Sequence, residues 1–273
     1  MMIYRPLFWT SYWCEDWLFT SSNYHNGCDT ILISSASSKT AFCFAYCVRN
    51  RRVKQGGGAK PSIIGLTSKR NVAFTKKLEL YDEVYDYDNF TSTDSFNQGG
   101  YRKRWIYVDV TGNTDLNGKV VDHFTNSTSG GELVVSISLG ATNTTPEISK
   151  NSKFTEEDAK GIMGNASSTL GLPASGSSTT TTNFWPKLER FFTPEWVDVR
   201  RRQMSLSEIF ELQRTEWHKL EKDCVPWIEI ERVYGPKSVK ESYERIVRSG
   251  LGPDKGLVWS LWEKPKRGEK AKL

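Results

Sequence analysis

Small polar residues and one lysine separate an apolar strand pattern from an apolar helix pattern early in the chain. The sequence from Asp29 to Val48 reads DTILISSASSKTAFCFAYCV. A turn between a strand and a helix N-terminus presents backbone N–H groups and a positive dipole end, which a pyrophosphate group requires. The turn contains Ser35, Ser38, Lys39 and Thr40, so these residues are the first candidates for contacts with a dinucleotide.

A second group of candidate residues follows the next strand pattern, SIIGLT at 62 to 67. NAD-binding chains usually place an acidic residue after this strand, where it holds the adenosine ribose. This chain has Ser68, Lys69 and Arg70 there instead. Because cations attract a 2′-phosphate and an acid repels it, we expect NADPH as the cofactor. The alternative interpretation is a capped helix with a solvated basic first turn.

Two glycine-containing turns come directly after later strand patterns. Gly112 follows WIYVD at 105 to 109, and Gly140 follows LVVSIS at 133 to 138. The carboxyl ends of parallel strands meet at one edge of a sheet, where ligands collect, so both glycines are candidates for contacts near a nicotinamide ring. Ordinary turn formation explains the same residues equally well.

Strand patterns that alternate with helix patterns position these turns. They predict an α/β fold, a Rossmann-like doubly wound parallel sheet, with a C-terminal helical segment and a disordered insert. The composition divides the chain into an N-terminal connecting helix at 1–28, a Rossmann-like dinucleotide-binding region at 29–142, a low-complexity insert at 143–190, C-terminal helices and a final strand at 191–262, and a disordered charged tail at 263–273.

Two capping-box patterns mark the starts of helices after the insert. Ser205 with Glu208 precedes one amphipathic pattern, and Ser238 with Glu241 precedes another. A serine three residues before a glutamate satisfies two orphan donors at a helix N-terminus. The sequence therefore predicts two helices here, followed by a late strand at 256–262.

Charge, cysteine usage and hydropathy exclude several classes of partner. Lysine and arginine total 37 against 32 acidic residues, and the basic residues are dispersed, so we expect no nucleic-acid partner. The longest apolar stretch, Ala41 to Val48, is far shorter than the ~20 residues that cross a bilayer. The five cysteines form no C-x-x-C pair and the three histidines are scattered, so no metal site is indicated. We expect a cytoplasmic protein. The sequence is compatible with a small-molecule substrate and with a homo-oligomer.

The sequence does not match two other kinds of site, the P-loop and the nucleophile turn of a hydrolase. A phosphate-binding P-loop needs glycines where this chain has Ile33 and Ser38. A nucleophilic hydrolase needs Gly-x-Ser-x-Gly between strand and helix, and the first turn holds no glycine.

The order of segments resembles the nucleotide-binding half of medium-chain dehydrogenase/reductases of the zinc-independent quinone oxidoreductase type. It is more similar to an uncharacterised fungal and bacterial family, a domain of unknown function, that is related to them. The motifs that carry this resemblance are RPLFWTSYW at 5–13, SSASSKTA at 34–41, GLTSKRN at 65–71, LYDEVYDYD at 80–88, YVDVTGN at 107–113, SLGAT at 138–142, FFTPEW at 191–196 and GLVWSLW at 256–262.

The resemblance implies a Gly-x-x-Gly-x-x-Gly turn, for which this chain has Ser35, Ser38 and Ala41. It also implies that Tyr87 stands near the 2′-phosphate. Reductases of this type carry an N-terminal barrel-like domain; we expect that this chain lost it, since the dense aromatic residues at 4–19 are consistent with its loss. We therefore expect a truncated or degenerate NADPH-dependent oxidoreductase; the alternative is a catalytically inactive Rossmann-fold binding or assembly protein. No catalytic residue is identifiable.

Overall fold

The computed structural model describes residues 4–20, 27–54, 61–97, 103–110, 112–125, 131–139 and 188–264. The predicted insert up to residue 187, the candidate Gly140 and the predicted tail from 265 onward lie outside the described residues. The elements, in chain order, are α1 (Arg5–Thr20), β1 (Thr30–Ile33), α2 (Lys39–Lys54), β2 (Ser62–Thr67), α3 (Val72–Lys77), β3 (Glu83–Asp86), α4 (Asp94–Asn97), β4 (Lys103–Asp109), α5 (Thr114–Thr125), β5 (Gly131–Ser138), β6 (Leu188–Arg190), α6 (Thr193–Arg201), α7 (Leu206–Asp223), β7 (Glu229–Tyr234), α8 (Pro236–Ser249) and β8 (Lys255–Ser260).

The main sheet has six strands in the order β3-β2-β1-β4-β5-β6, and every neighbouring pair runs parallel. Ile31 at the centre of β1 pairs with Ile63 on one side and Ile106 on the other. This strand order is that of a doubly wound dinucleotide-binding fold, and it reverses direction between β1 and β4. The predicted Rossmann-like parallel sheet is confirmed.

Both faces of the sheet are covered. On one face Ile31 and Ile106 belong to a large core that includes residues of α1, α2 and α7. On the other face Leu32 and Tyr107 pack with residues of α5. Continuous burial of the central strands follows from this arrangement, because a parallel sheet in an α/β protein has helices on both sides.

The aromatic residues of α1 are packed inside this protein. Tyr4, Phe8 and Trp13 are buried. The ring of Tyr4 contacts Trp227 and the ring of Phe8 contacts Trp217, so residues from the C-terminal third of the chain cover α1. The expectation that these side chains lost their cover is therefore wrong: α2, α7 and the segment after α7 supply it.

The starts of α7 and α8 test the two predicted capping boxes. The capping box at the start of α7 is confirmed, since the Glu208 N–H donates to the Ser205 hydroxyl and the Ser205 N–H donates to the Glu208 carboxylate at 2.8 Å. The prediction of a second capping box is wrong. Helix α8 begins at Pro236, after an N-cap at Gly235, and Ser238 lies inside its first turn.

The C-terminal strands form a small sheet of their own. β7 and β8 pair in parallel, with α8 as the connection between them. The predicted late strand at 256–262 is thus present as β8, whereas β7 and α6 were not predicted. No helix among the described residues has the length and hydropathy to cross a membrane.

Candidate functional site

The turn from Ser34 to Ser38 joins β1 to α2 at the carboxyl edge of the sheet, where the strand order reverses. Ser35 has a φ of 50°, in the left-handed region that favours glycine. The Ser38 N–H donates to the Ser35 carbonyl at 2.7 Å, and the Ser38 hydroxyl accepts from the Ala41 N–H at 3.3 Å. Ser38 is therefore the N-cap of α2, and Ser35 adopts a backbone conformation that glycine favours.

Strand β2 holds the turn in place. The Ala36 N–H donates to the Leu66 carbonyl at 2.8 Å, and the Tyr81 hydroxyl donates to the Ala36 carbonyl at 2.9 Å. A Cβ at Gly65 would lie 2.8 Å from the Cβ of Ala36, so only glycine allows this approach of strand and turn. The turn is consequently fixed before any ligand binds.

Sequence reasoning missed Ser37, which is buried in the same turn. Its hydroxyl accepts hydrogen bonds from the Thr67 hydroxyl at 3.0 Å and from the Asn71 amide at 3.1 Å. These contacts tie the first turn to the end of β2. Only the position of Ser37 between two predicted residues could have indicated this role.

Lys39 and Thr40, predicted in the turn, are the first two residues of α2. The Lys39 side chain is half-buried, which lowers its pKa, while the Asp254 carboxylate acts in the opposite direction. The Thr40 carbonyl accepts a hydrogen bond from the Ser11 hydroxyl at 3.0 Å. Lys39 therefore interacts with the loop before β8, and Thr40 contacts α1.

Ser68, Lys69 and Arg70 follow β2, as predicted, but the first α-helix after them begins only at Val72. A single 3-10 turn at 69–71 precedes α3, and Ser68 makes no side-chain cap to it. The Ser68 hydroxyl is buried and has no hydrogen-bond partner among the described residues. Lys69 and Arg70 are exposed. This edge of the site thus has two exposed basic side chains, of which Lys69 interacts electrostatically with Asp86, beside one buried hydroxyl without a partner among the described residues.

Tyr87 connects the two groups of predicted residues. It follows β3, and its N–H donates to the Thr67 carbonyl at 3.1 Å. Its hydroxyl lies within hydrogen-bonding reach of the side chain and the backbone of Ser35, and burial raises its pKa. The resemblance placed Tyr87 near a 2′-phosphate; in this structure it reaches the β1–α2 turn.

Gly112 is held by a buried network at the end of β4. The Asp109 carboxylate accepts from the Ser34 hydroxyl at 3.0 Å, the Gly112 N–H at 3.0 Å and the Asn117 amide at 2.8 Å. Gly112 has a φ of 65°, which explains the glycine. Because Ser34 directly follows β1 and Asp109 ends β4, the network spans the point where the strand order reverses. Ser34 and Asn117 were not predicted.

A cavity of about 240 Å³ lies away from this edge, between α1, α2 and α7. The three carboxylates that line it all have cationic partners: Glu15 pairs with Arg51, Asp16 lies 3.0 Å from the Arg200 Nε, and Glu216 lies 2.8 Å from the Lys219 Nζ. The arrangement is that of a charge-compensated structural cavity, and the dinucleotide-type features all lie at the sheet edge.

The groups at the sheet edge are better suited to binding a ligand than to catalysing a reaction. It joins the Ser35 and Ser38 hydroxyls, a helix N-terminus, an unsatisfied Ser68 hydroxyl and a basic turn. The described residues contain no cluster of three metal-ligating side chains. The Tyr81 and Tyr87 hydroxyls both reach the first turn, and the Asp109 carboxylate already accepts hydrogen bonds from three donors.

A sequence model of the family described as a protein of unknown function, DUF2855, matches residues 1–252. The chain belongs to this family. No curated protein matches the DUF2855 chain. The crystal structure of CurA from Vibrio vulnificus in complex with NADPH is similar at 12% identity and a TM-score of 0.46, covering 94% of this chain and 62% of CurA. The crystal structure of AibC is similar at 15% identity and a TM-score of 0.37, covering 85% of this chain and 49% of AibC. The DUF2855 chain thus spans less than two thirds of each.

Proposed function

We propose that this protein binds NADPH at the β1–α2 turn and derives from NADPH-dependent oxidoreductases of the medium-chain, zinc-independent type. The observation that supports it best is the N-capped turn with a left-handed Ser35, placed where the strand order of a parallel sheet reverses. Backbone N–H groups at a helix N-terminus and a neighbouring strand end are the usual pyrophosphate site of this topology.

The residues at the sheet edge fit such a cofactor. The Ser35 and Ser38 hydroxyls and the first turn of α2 would hold the pyrophosphate. The unsatisfied Ser68 hydroxyl suits the adenosine ribose, and the exposed Lys69 and Arg70 suit a 2′-phosphate. Gly112, fixed by Asp109, would border the nicotinamide end. Bound NADPH supplies a hydride; the residues of this chain bind and orient the cofactor.

A catalytically inactive binding protein is the second candidate function. It is favoured by the contacts of Asp109, whose carboxylate already accepts three hydrogen bonds from the protein. The Tyr81 hydroxyl is likewise occupied by the Ala36 carbonyl, and the Tyr87 hydroxyl lies beside Ser35. Both candidates require the cofactor to bind, so binding is tested first.

Titration calorimetry with NADPH tests the turn. Ser38→Asp is the sharpest variant, because aspartate caps a helix as well as serine does but places a negative charge against the pyrophosphate. We expect saturable binding to the wild type and a loss of at least about tenfold in affinity for the variant. No saturable binding up to about 5 mM NADPH, above the usual range of cofactor constants, would refute the proposal.

The basic turn is tested by comparing NADPH with NADH. Lys69→Glu with Arg70→Glu should weaken NADPH by at least about tenfold more than NADH, since exposed charge contacts contribute up to about 1 kcal/mol each and are reversed here. Lys76→Glu with Lys77→Glu is the matched control, because these exposed lysines lie at the other end of α3. Equal losses for the two cofactors would show that Lys69 and Arg70 are merely solvated.

A further inference from the structure

The Asp109 carboxylate lies between two turns at the carboxyl edge of the main sheet. It is fully buried at the end of β4, and its Oδ1 atom accepts hydrogen bonds from the Ser34 hydroxyl and from the Gly112 N–H, both at 3.0 Å. Ser34 is the first residue of the β1–α2 turn, and Gly112 lies in the turn between β4 and α5, here called the Gly112 turn. A single oxygen atom therefore connects the two turns across the point where the strand order reverses.

The groups that contact Asp109 are themselves held in place. The Ser34 hydroxyl, which donates to Asp109, accepts from the Val110 N–H at 2.8 Å. The Asn117 amide donates to the Oδ2 atom of Asp109 at 2.8 Å, and the side-chain oxygen of Asn117 accepts from the Tyr107 hydroxyl at 2.7 Å. A buried network whose members are satisfied in this way is rigid, because any other arrangement would break several hydrogen bonds at once.

The two turns differ in what else supports them. The β1–α2 turn is bonded to β2 as well, through the main chain of Ala36 and the hydroxyl of Ser37. In the Gly112 turn, the glycine is exposed and has a φ of 65°, and its N–H donates to Asp109. Loss of the Asp109 carboxylate would therefore release Gly112 and leave the β1–α2 turn in place.

We propose that Asp109 is a positioning residue of the cofactor site, whose carboxylate sets the place of the Gly112 turn relative to the β1–α2 turn. This inference rests on the proposed function, in which the β1–α2 turn holds the pyrophosphate and Gly112 borders the nicotinamide end. The two ends of NADPH then meet turns at a fixed separation. Asp109 acts through Ser34 and Gly112, since its oxygens are occupied by protein donors.

An exchange of the side chains at positions 109 and 117 tests this role. In Asp109→Asn the new amide group places a donor against a donor, either the Asn117 amide or the Gly112 N–H. In Asn117→Asp two carboxylates face each other. In the double variant the amide at position 109 donates to the carboxylate at position 117, whose second oxygen still accepts from Tyr107. The hydrogen bonds are thus lost in each single variant and restored in the double variant.

Calorimetry compares NADPH with adenosine 2′,5′-bisphosphate, which lacks the nicotinamide end. NADPH should bind each single variant at least about tenfold more weakly, because an unsatisfied buried donor or a pair of like charges makes the competent arrangement a minor one. The bisphosphate should change by less than about threefold, since the β1–α2 turn keeps its bonds to β2. The double variant should bind NADPH within about threefold of the wild type. Asp223→Asn, the same change at the Tyr46 contact on α7, is the control and should alter neither ligand.

Hydrogen exchange of the ligand-free protein tests the connection between the turns separately from the proposed function. The Gly112 amide should exchange at least about tenfold faster in Asp109→Asn and at the wild-type rate in the double variant. Unchanged exchange at Gly112, an equal loss of both ligands in the single variants, or a double variant as weak as they are would overturn the proposal. A wild type that binds neither ligand would refute the proposed function, and with it the role of Asp109 in a cofactor site, whatever the exchange result.

Discussion

The close approach of β2 and the β1–α2 turn makes Gly65→Ala a quantitative test of the site architecture. The new Cβ would stand 2.8 Å from the Cβ of Ala36 and 2.9 Å from Cδ1 of Tyr81. Neither neighbour can withdraw easily, because the Ala36 Cβ is attached to the backbone and the Tyr81 hydroxyl is bonded to the Ala36 carbonyl at 2.9 Å. Overpacking of this kind costs about 1–3 kcal/mol.

Urea and thermal unfolding measure this cost. For a chain of this size the expected loss lowers the melting temperature by roughly 3 to 10 °C. Gly118→Ala in α5 is the matched control, since a Cβ there meets nothing within 4 Å. Because glycine is costly inside a helix, the control should gain about 0.5–1 kcal/mol. A Gly65→Ala protein as stable as the wild type would show that the turn does not pack against β2 as described.

Three further stability predictions follow from named contacts. Ser205→Ala should cost about 1 kcal/mol in urea unfolding, whereas Ser238→Ala should stay within about 0.5 kcal/mol, because only the first serine caps a helix. Arg51→Met removes the guanidinium that pairs with the buried Glu15 and should cost about 3 kcal/mol, most of which Glu15→Met should recover in the double variant. Burial lowers the pKa of His123 in the folded state, so the unfolded chain binds the proton first and stability should fall as pH drops below about 6.5. Unfolding of His123→Phe at pH 7.5 and 5.5 should show a smaller loss than the wild type; an equal loss would contradict this.

The main sheet was predictable because its strands are covered on both faces. A strand such as TILI at 30–33 is apolar at nearly every position, and turns of small residues bound it, which is the pattern of a buried parallel strand. β7, with the sequence EIERVY, mixes charged and apolar residues without a regular period and is partly exposed, so its sequence signal is weaker. The error at Ser238 has a similar origin: a correct capping-box pattern lies inside a helix that proline and glycine start two residues earlier.

Only those parts of the site whose residues are close together in the sequence could be predicted. The turn residues Ser35 and Ser38 follow from the strand, the turn and the helix around them. The partners that fix the site come from distant segments: Asp109 is 75 residues from Ser34, and Asp254 acts on Lys39 from the C-terminal part of the chain. Periodicity and spacing contain no information about such pairs, since they depend on how the strands are ordered in space.

The replacement of glycine by serine in the first turn is best understood through the contacts around it. A left-handed serine costs of order 1–3 kcal/mol, so the surrounding structure must determine the conformation. Here β2 binds Ala36, Thr67 and Asn71 bind Ser37, and Tyr87 reaches Ser35 itself. These contacts are made by the protein alone, and they leave the first turn of α2 facing the edge of the sheet. These contacts therefore offset the cost of a left-handed serine, and a pyrophosphate is the ligand that we propose for this turn.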